Sequence, residues 1–460
     1  LGTPFALSLW LLNKRRFQRP KEFMHPMRSW RHCALALAGL LLGSFACAEV
    51  GRLELGVPAA QADLTMGCLY PMTERAAIYG QDSIIGIQVA LNELQARRLA
   101  GEPVPRLRVI IDDDQSKASY GVSLARSFIH KDGVQVLCGM VSSGVALAVS
   151  QLALQEKVLM IGTDHASSRM TLENGHPYYF RVTNDTWTSM AAGARYLQAL
   201  QKKTGWKRLA FIGPDYEYGH VSRDDLHTAL NQLGVKFDDV IELWPRLYEP
   251  DYSPYITALE QSRPDIIVSA IWGGDFHAFV KQAAGSRLLE TSRLANFDTG
   301  ANFDFLVALG DKAPAGLILS SRHHNNWPTT ERNRSFVERF HALSGRYPTY
   351  AAQGAYTGVM VLAQAYEKTG GVTETQALIH ALEGLEIALP EDPPGTWSRI
   401  DPVTHQIQQS QAIGTPLPNT AYPPAQLMLG DWSVYSAQEL QLDSATLKRR
   451  LAARKTVVEP

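Results

Sequence analysis

The segment from residue 134 to residue 168 constrains the fold more than any other part of the chain. It predicts an apolar strand at 134–138, a loop containing Ser142-Ser143-Gly144, a helix, and a second apolar strand at 158–162. Two buried strands separated by one helix are typical of a parallel sheet, in which both strands end at the same edge. We therefore expect the loops that follow these two strands to lie side by side.

Small polar residues follow both predicted strands. Ser142 and Ser143 lie in the first loop, and Ala166 and Ser167 lie in the second. Helix N-termini at such an edge offer unpaired N–H groups and a partial positive charge, which together hold a small anionic group such as a carboxylate. The alternative is that the serines only cap the following helix. The segment carries no motif for a nucleophile, a general base or a metal, so the sequence favours a binding site over a catalytic one.

The alternation of strand and helix extends along most of the chain. Strand patterns at 64–69 and 107–111 precede the segment above, and a second series includes 209–213, 266–271 and 294–298. This order predicts an α/β fold with doubly wound parallel sheets. Because 460 residues exceed what one compact core holds, we expect the chain to divide into lobes.

Composition and motifs exclude several classes of function. Charged residues make up 19% of the chain and the net charge is −1, so no basic excess favours nucleic acid or an anionic membrane surface. The sequence has no nucleophile elbow, P-loop, dinucleotide-binding glycine motif or zinc motif. We predict a protein that is not an enzyme and that uses no cofactor, metal or nucleic acid.

The first 48 residues contain a targeting pattern. Arg28 and Arg31 precede an apolar run at 33–46, and Ala46-Cys47-Ala48 provides small residues at a cleavage site. We expect a signal peptide over 27–48; a membrane anchor helix and a lipoprotein attached at Cys47 are the alternatives. Residues 1–26 are expected to be an upstream extension from a start codon assigned too early.

Two cysteines remain after the predicted cleavage. Cys68 and Cys138 each lie at the end of a predicted strand, and export permits a disulfide between them. Adjacent parallel strands rarely offer disulfide geometry, so we favour two buried thiols and leave the disulfide as the alternative.

Several features in chain order resemble one known family. They are Tyr70-Pro71-Met72-Thr73, Tyr79-Gly80, Asp112-Asp113-Asp114, Ser142-Ser143, Ala166-Ser167, Asp215 with Tyr218-Gly219, Gly273-Gly274 and Asp298. Together they resemble the type I periplasmic solute-binding proteins of the branched-chain amino acid (Leu/Ile/Val-binding) ABC transporter family. The resemblance runs from about residue 63 to about residue 431.

The resemblance implies two doubly wound parallel-sheet lobes joined by a hinge of three crossovers, with ligand bound between them. It places lobe 1 at 49–182 and 321–389, lobe 2 at 183–320 and 390–435, and a C-terminal tail or helix at 436–460. It implies a periplasmic monomer that closes around its ligand and docks to an ABC permease and ATPase complex in the inner membrane. A sensor that feeds a chemoreceptor or histidine kinase is the alternative.

The resemblance also suggests which residues bind the ligand. They are Tyr79, Ser142, Ser143, His165, Ala166, Ser167, Tyr218, Trp272 and Asp298. We expect Ser142 and Ser143 to bind a carboxylate and Asp298 to pair with an ammonium group, which favours an amino acid. Tyr79 and Trp272 would line an apolar pocket, which favours an aromatic or other organic acid; a small amide or urea is a further alternative.

The chain departs from the family pattern in two loops. Glu74 stands where the family has Gly after the Ser or Thr of the first loop, and Arg75 follows it. The second loop reads Gly162-Thr163-Asp164-His165, so the alignment leaves open whether His165 or Ala166 faces the ligand. These departures affect the expected ligand more than the expected fold.

Overall fold

A computed structural model describes residues 52–311 and 313–454. The predicted upstream extension and signal peptide lie outside these ranges. The strands are β1 (Leu53–Gly56), β2 (Leu64–Tyr70), β3 (Leu107–Asp113), β4 (Val136–Gly139), β5 (Leu159–Gly162), β6 (Tyr179–Arg181), β7 (Arg208–Ile212), β8 (Asp238–Leu243), β9 (Ile266–Ser269), β10 (Arg293–Asn296), β11 (Ile318–Ser320), β12 (Glu386–Ile387), β13 (Ser398–Ile400), β14 (Ile407–Gln408), β15 (Gln411–Pro418) and β16 (Leu427–Tyr435).

The helices occur mostly between these strands. They are α1 (Ala77–Leu99), α2 (Ala118–Asp132), α3 (Ser143–Glu156), α4 (Thr186–Thr204), α5 (Glu217–Gln232), α6 (Ser253–Ser262), α7 (Gly273–Ala283), α8 (Leu288–Thr291), α9 (Phe303–Leu309), α10 (Glu331–Ser344), α11 (Tyr350–Lys368), α12 (Thr375–Leu382) and α13 (Ser444–Ala452). Over the described ranges, none of them combines the length and apolar character needed to cross a membrane.

The first sheet is built from the N-terminal part of the described chain. Its six strands have the order β1-β3-β2-β4-β5-β6 within the described residues, and all neighbours are parallel except β1 and β3. Strands β2 and β4 are buried along their whole length, as expected of a parallel sheet covered by helices on both faces. The short segment Tyr179–Arg181, for which the sequence pattern predicted no strand, supplies edge strand β6.

The second sheet follows the same plan. Its seven strands have the order β16-β15-β11-β10-β9-β7-β8 in the described part of the chain, with a parallel set from β11 to β8 and antiparallel β15 and β16 at one edge. The predicted α/β fold with two parallel sheets is thus confirmed. We call the units built on the six-stranded and seven-stranded sheets the first and second lobes.

Later helices return to the first lobe. Helix α11 packs along α1, and the two backbones approach so closely at Gly86 that a Cβ there would lie 2.1 Å from the carbonyl oxygen of Ala352. Only glycine permits this approach. Strands β12 to β14 form a small separate sheet, and the chain enters the second sheet at Gln411.

Buried polar side chains form hydrogen bonds between the chain segments that connect the two lobes. The Gln411 side chain donates to the carbonyl oxygens of Phe297 and Ser321, and it accepts a hydrogen bond of 2.6 Å from Asn184. Three chain passages between the lobes therefore meet at one glutamine, because Asn184, Ser321 and Gln411 each belong to a different passage.

Cys68 and Cys138 form a disulfide, so the expectation of two free thiols was wrong. Strands β2 and β4 are direct neighbours, and their register places the two cysteines opposite each other with Cα atoms 4.4 Å apart. This short separation lies at the lower end of the range that a disulfide bridges. Adjacent parallel strands rarely have the geometry for a disulfide, but here the register places the two cysteines directly opposite each other.

The C-terminal segment connects both lobes. Helix α13 places Arg450 between Glu173, in the connection from β5 to β6 of the first lobe, and Asp225 on α5 of the second lobe. The Arg450 guanidinium lies 2.7 Å from the Glu173 carboxylate and 2.9 Å from the Asp225 carboxylate. The end of the described chain is therefore fixed by ion pairs to both lobes.

Candidate ligand-binding site

A small pocket lies between the two lobes, where the parallel strands of both sheets end. Its lining combines four aromatic rings with two charged side chains and three small or aliphatic ones. The lining residues are Val141, Asp164, Ala166, Tyr216, Tyr218, Trp272, Thr299, Arg322 and Tyr350. Most of them directly follow a strand or begin a helix, which explains why the two sheets bring them together.

Arg322 is the central charge of the pocket. It follows β11 and is 6% exposed, and its guanidinium holds the Asp298 carboxylate with two hydrogen bonds, 2.9 Å from Nε and 2.6 Å from Nη2. Ser189 and Tyr218 also donate hydroxyl hydrogen bonds to Asp298, at 2.8 and 2.7 Å. Burial alone would raise the pKa of the Asp298 carboxyl, but the Arg322 charge and these donors bring it below its ordinary value. Asp298 is thus an ionised carboxylate that the protein itself neutralises.

Asp164 carries the second carboxylate of the pocket. Its Oδ1 accepts a hydrogen bond of 3.2 Å from Arg322 Nη1, which also donates to the Asp164 main-chain oxygen. Among the residues that the structure describes, Oδ2 has no hydrogen-bond partner although it is buried. Burial raises the pKa of this carboxyl to about 7, against the opposing effect of the Arg322 charge.

Aromatic rings form the apolar part of the site. The Arg322 guanidinium lies over the Tyr350 ring, 4.7 Å from its centroid, in a cation–π contact. Tyr79 packs behind the lining with ring centroids 5.4 Å from Tyr350 and 5.8 Å from Trp272. Trp272 also donates a hydrogen bond of 3.1 Å to the Tyr216 hydroxyl. Since Tyr79 belongs to the first lobe and Trp272 to the second, the rings close the pocket from both sides.

Four helices begin at the edge of the pocket. The residue before the first turn is Ser142 for α3, Tyr216 for α5, Trp272 for α7 and Thr349 for α11. None of these four N-cap residues makes a side-chain capping hydrogen bond within the described chain. At α11 the Tyr350 N–H already donates to the Asn302 side chain at 3.1 Å, so the N-termini of α3, α5 and α7 are the ones that favour a bound anion.

The predicted hydroxyl residues have distinct positions. Ser143 Oγ accepts hydrogen bonds from the backbone N–H groups of Ala166 and Ser167, at 3.3 and 3.2 Å, and so joins the two loops of the first lobe. Ser167 donates its own hydroxyl to Glu217 of the second lobe at 2.7 Å. Ser142 is the N-cap residue of α3. Ser143 and Ser167 are thus engaged within the protein, and their ligand contacts remain a prediction.

The structure distinguishes the two alternatives in the second loop. Ala166 lines the pocket, whereas the His165 ring is buried between the Met140 carbonyl oxygen at 2.9 Å and the Tyr179 hydroxyl at 2.8 Å. Burial lowers the pKa of His165 to about 3, so this ring stays neutral. Tyr218, Trp272 and Asp298 lie at the pocket, and Tyr79 supports its lining.

Sequence reasoning missed several lining residues, above all Arg322. The others are Val141, Asp164, Tyr216, Thr299 and Tyr350. Their shared signal is position, because they immediately follow a predicted strand or begin a helix at the carboxyl edge. Arg322 is also a lone cation in a short polar loop directly after β11.

This geometry agrees with comparisons to known proteins. A family model described as "Periplasmic binding protein" matches residues 63–415. The chain belongs to this periplasmic binding protein family. Among similar curated proteins is a Leu/Ile/Val-binding protein homolog of Brucella melitensis, 26% identical over 362 residues that cover 78% of this chain and 88% of the relative. The Leu/Ile/Val-binding protein BraC3 of Rhizobium johnstonii is 26% identical over 72% of this chain and 86% of its own length.

Solved structures share the fold of this binding protein. A solute-binding protein of an ABC transporter from Rhodopseudomonas palustris, in complex with 3,4-dihydroxybenzoic acid, has a TM-score of 0.71 and 24% identity over 83% of this chain and 99% of its own. An amino acid ABC transporter substrate-binding protein from Pseudomonas fluorescens has a TM-score of 0.71 and 20% identity, covering 84% and 98%. The family model and the curated relatives show a periplasmic binding protein rather than an enzyme, and the solved structures share its fold.

Proposed function

We propose that this periplasmic binding protein captures a small aromatic carboxylate between its lobes and delivers it to an ABC importer. The observation that carries the proposal is the buried Arg322–Asp298 pair beneath a lining of aromatic rings. The pair neutralises Asp298, so this carboxylate is not free to hold a ligand ammonium group in the way that the sequence suggested. The aromatic rings suit a flat apolar ligand.

The carboxylate of the ligand would bind at the helix N-termini. Helices α3, α5 and α7 begin at the pocket without a capping hydrogen bond from their N-cap side chains in the described chain, whereas the first N–H of α11, on Tyr350, already donates to Asn302 at 3.1 Å. Such termini stabilise an anion without a formal positive charge. A carboxylate at this position leaves the ring of the ligand against Tyr350 and Trp272.

The solved relatives support both ligand classes that the sequence left open. The Rhodopseudomonas palustris protein was crystallised with 3,4-dihydroxybenzoic acid, and the Pseudomonas fluorescens protein is described as serving amino acid transport. An amino acid is the second candidate because Oδ2 of Asp164, which has no partner in the described residues, can accept a hydrogen bond from an ammonium group. The aromatic acid is preferred because the lining has four rings and the Asp298 charge is already paired.

The transport role follows the family pattern. Ligand contacts with both lobes stabilise the closed form, which the permease recognises, and release occurs when the lobes separate. Secretion by the predicted signal peptide places the protein in the periplasm. A sensor with the same pocket would bind the same ligand but dock to a receptor, so ligand binding does not distinguish the two; reconstituted uptake with the cognate permease does.

Calorimetric titration of the chain from Glu49 with benzoate, 4-hydroxybenzoate, 3,4-dihydroxybenzoate, phenylalanine and leucine tests the ligand class. We expect at least one aromatic acid to bind, and Trp272→Leu to weaken that binding strongly. Trp397→Ala serves as the control because Trp397 is 62% exposed and is not among the lining residues. Binding of leucine alone would reject the aromatic acid and restore the amino acid assignment.

A further inference from the structure

The strongest unexplained group in the pocket is the second oxygen of Asp164. The Asp164 side chain is buried, with the residue 1% exposed, and it forms part of the lining. Oδ1 accepts from Arg322, but Oδ2 finds no donor in the described residues. A buried acceptor without a partner costs free energy, which a ligand that brings a donor recovers.

Arg322 fixes the orientation of this carboxylate. Its Nη1 holds both the main-chain oxygen and Oδ1 of Asp164, while Nε and Nη2 hold Asp298. A guanidinium has five N–H donors, so these contacts commit most of its capacity to the protein. Arg322 therefore acts as a clamp that keeps Oδ2 of Asp164 available, rather than as the main partner of a ligand carboxylate.

A second unpartnered group lies on the opposite lobe. The Thr299 hydroxyl lines the pocket and is buried without a hydrogen-bond partner within residues 52–311 and 313–454. Two buried polar atoms, Oδ2 of Asp164 in the first lobe and the Thr299 hydroxyl in the second, thus have no hydrogen-bond partner in a pocket that is otherwise mostly aromatic. Unpartnered buried polar groups of this kind make a site reject ligands that lack the matching group.

We infer that Asp164 determines specificity by requiring the ligand to carry a hydrogen-bond donor, a hydroxyl or an amine, in addition to its carboxylate. The inference rests on the proposed function and narrows its ligand class. Asp164 lies in the loop where the sequence departs from the family pattern, so the requirement belongs to this chain's own residues.

Matched ligand pairs test the inference in the unaltered protein. Titration compares benzoate with 4-hydroxybenzoate and 4-aminobenzoate, and 3-phenylpropanoate with phenylalanine. We expect the donor-bearing member of at least one pair to bind about ten- to a hundredfold more tightly. The hydroxyl and amine members show which donor the pocket accepts.

The variant Asp164→Asn assigns the effect to this side chain. Its amide can face the ligand with donors instead of an acceptor, so the affinity ratio within a pair should fall toward one. Asp114→Asn is the matched control: Asp114 is also buried with an unpartnered Oδ2 among the described residues, and burial raises both pKa values to about 7, but it is not a lining residue. We expect Asp114→Asn to preserve the ratio.

Two results would overturn the inference, and they differ in meaning. If the paired ligands bind equally well to the unaltered protein, or if Asp164→Asn keeps the ratio, Asp164 is not the determinant while the proposed function stands. If none of the carboxylates binds, both fail. Equal affinity within every pair in the unaltered protein overturns the inference even if the variant does not fold.

Discussion

Arg75 of the first lobe and Asp275 of the second form an ion pair across the mouth of the cleft. The Nη1 to Oδ1 distance is 2.5 Å, and Arg75 Nη1 also donates to the Glu249 carbonyl oxygen at 3.2 Å. The Asp275 side chain is 5% exposed and accepts a further hydrogen bond from the Tyr248 N–H at 2.7 Å. Arg75 lies in the loop whose sequence departs from the family pattern, and its contact with Asp275 favours closure independently of any ligand.

Replacing Arg75 should weaken ligand binding without touching the pocket. An ion pair with one exposed partner contributes about 1 kcal/mol, so Arg75→Ala should raise the dissociation constant about fivefold. Titration calorimetry measures the change, and small-angle scattering should show a more open ligand-free form. Arg246→Ala is the control, because Arg246 pairs with Glu249 inside one lobe. Recovery of affinity in the charge-reversed pair Arg75→Asp/Asp275→Arg would attribute the effect to this contact, and no recovery would contradict it.

Replacing Arg322 should destabilise the ligand-free protein. Arg322→Ala leaves the Asp298 charge buried and unneutralised, which typically costs about 3–5 kcal/mol of unfolding free energy. Denaturant unfolding followed by tryptophan fluorescence measures this loss. The double variant Arg322→Ala/Asp298→Ala should recover part of it, because it removes the unpaired charge together with its partner. Equal stability of the single variant and the unaltered protein would show that Arg322 does not hold the site together.

Binding of a donor-bearing ligand should depend on pH through Asp164. Burial raises the pKa of Asp164 to about 7, and a hydroxyl or ammonium donor binds the ionised form better, so ligand binding lowers this pKa and releases a proton. Affinity for 4-hydroxybenzoate should therefore increase as pH rises from about 6 to about 8 and then level off, a range in which neither group of the ligand titrates. Asp164→Asn should lack this dependence. A flat profile in the unaltered protein would argue against a proton-linked role for Asp164.

Breaking the disulfide should lower stability substantially. Cys68 and Cys138 are separated by 70 positions, and closing a loop of this length corresponds to about 4 kcal/mol in the chain-entropy description. Cys68→Ser/Cys138→Ser should therefore melt at a lower temperature than the oxidised protein. Adding a reductant should destabilise the unaltered protein and leave the double variant unchanged. Equal melting of the oxidised protein and the double variant would contradict this contribution.

The fold was accessible from the sequence because its signals are local. Short apolar strands alternate with helices, and the central strands of both sheets were each visible within a window of about fifteen residues. The edge strand β6 was not recognised as a strand. The disulfide was misjudged because it depends on lateral strand order and register: Cys68 and Cys138 meet only because β4 inserts directly beside β2. No local pattern specifies that register.

The ion pairs of the site could not be predicted from the sequence for a similar reason. Asp298 was recognised as a buried carboxylate after a strand, but its partner Arg322 follows the next strand, and Arg322 in turn reaches Asp164 across 158 positions. Whether a buried carboxylate is free for a ligand or already paired depends on such distant contacts. The sequence indicated that Asp298 follows a strand, at the carboxyl edge of the sheet. That its charge is already paired with Arg322 could be seen only in the structure.

The link between Ser143 and the following loop has a kinetic consequence. Since Ser143 Oγ already accepts from the N–H groups of Ala166 and Ser167, the first-lobe wall of the pocket is assembled before any solute arrives. A solute can bind to this preformed surface at a rate set by diffusion and orientation, because the two first-lobe loops need little further ordering. Its residence time then depends on how long the second lobe stays closed over it. Sequence changes in the second lobe can therefore retune how long a solute is retained while leaving the rate of its capture largely unchanged.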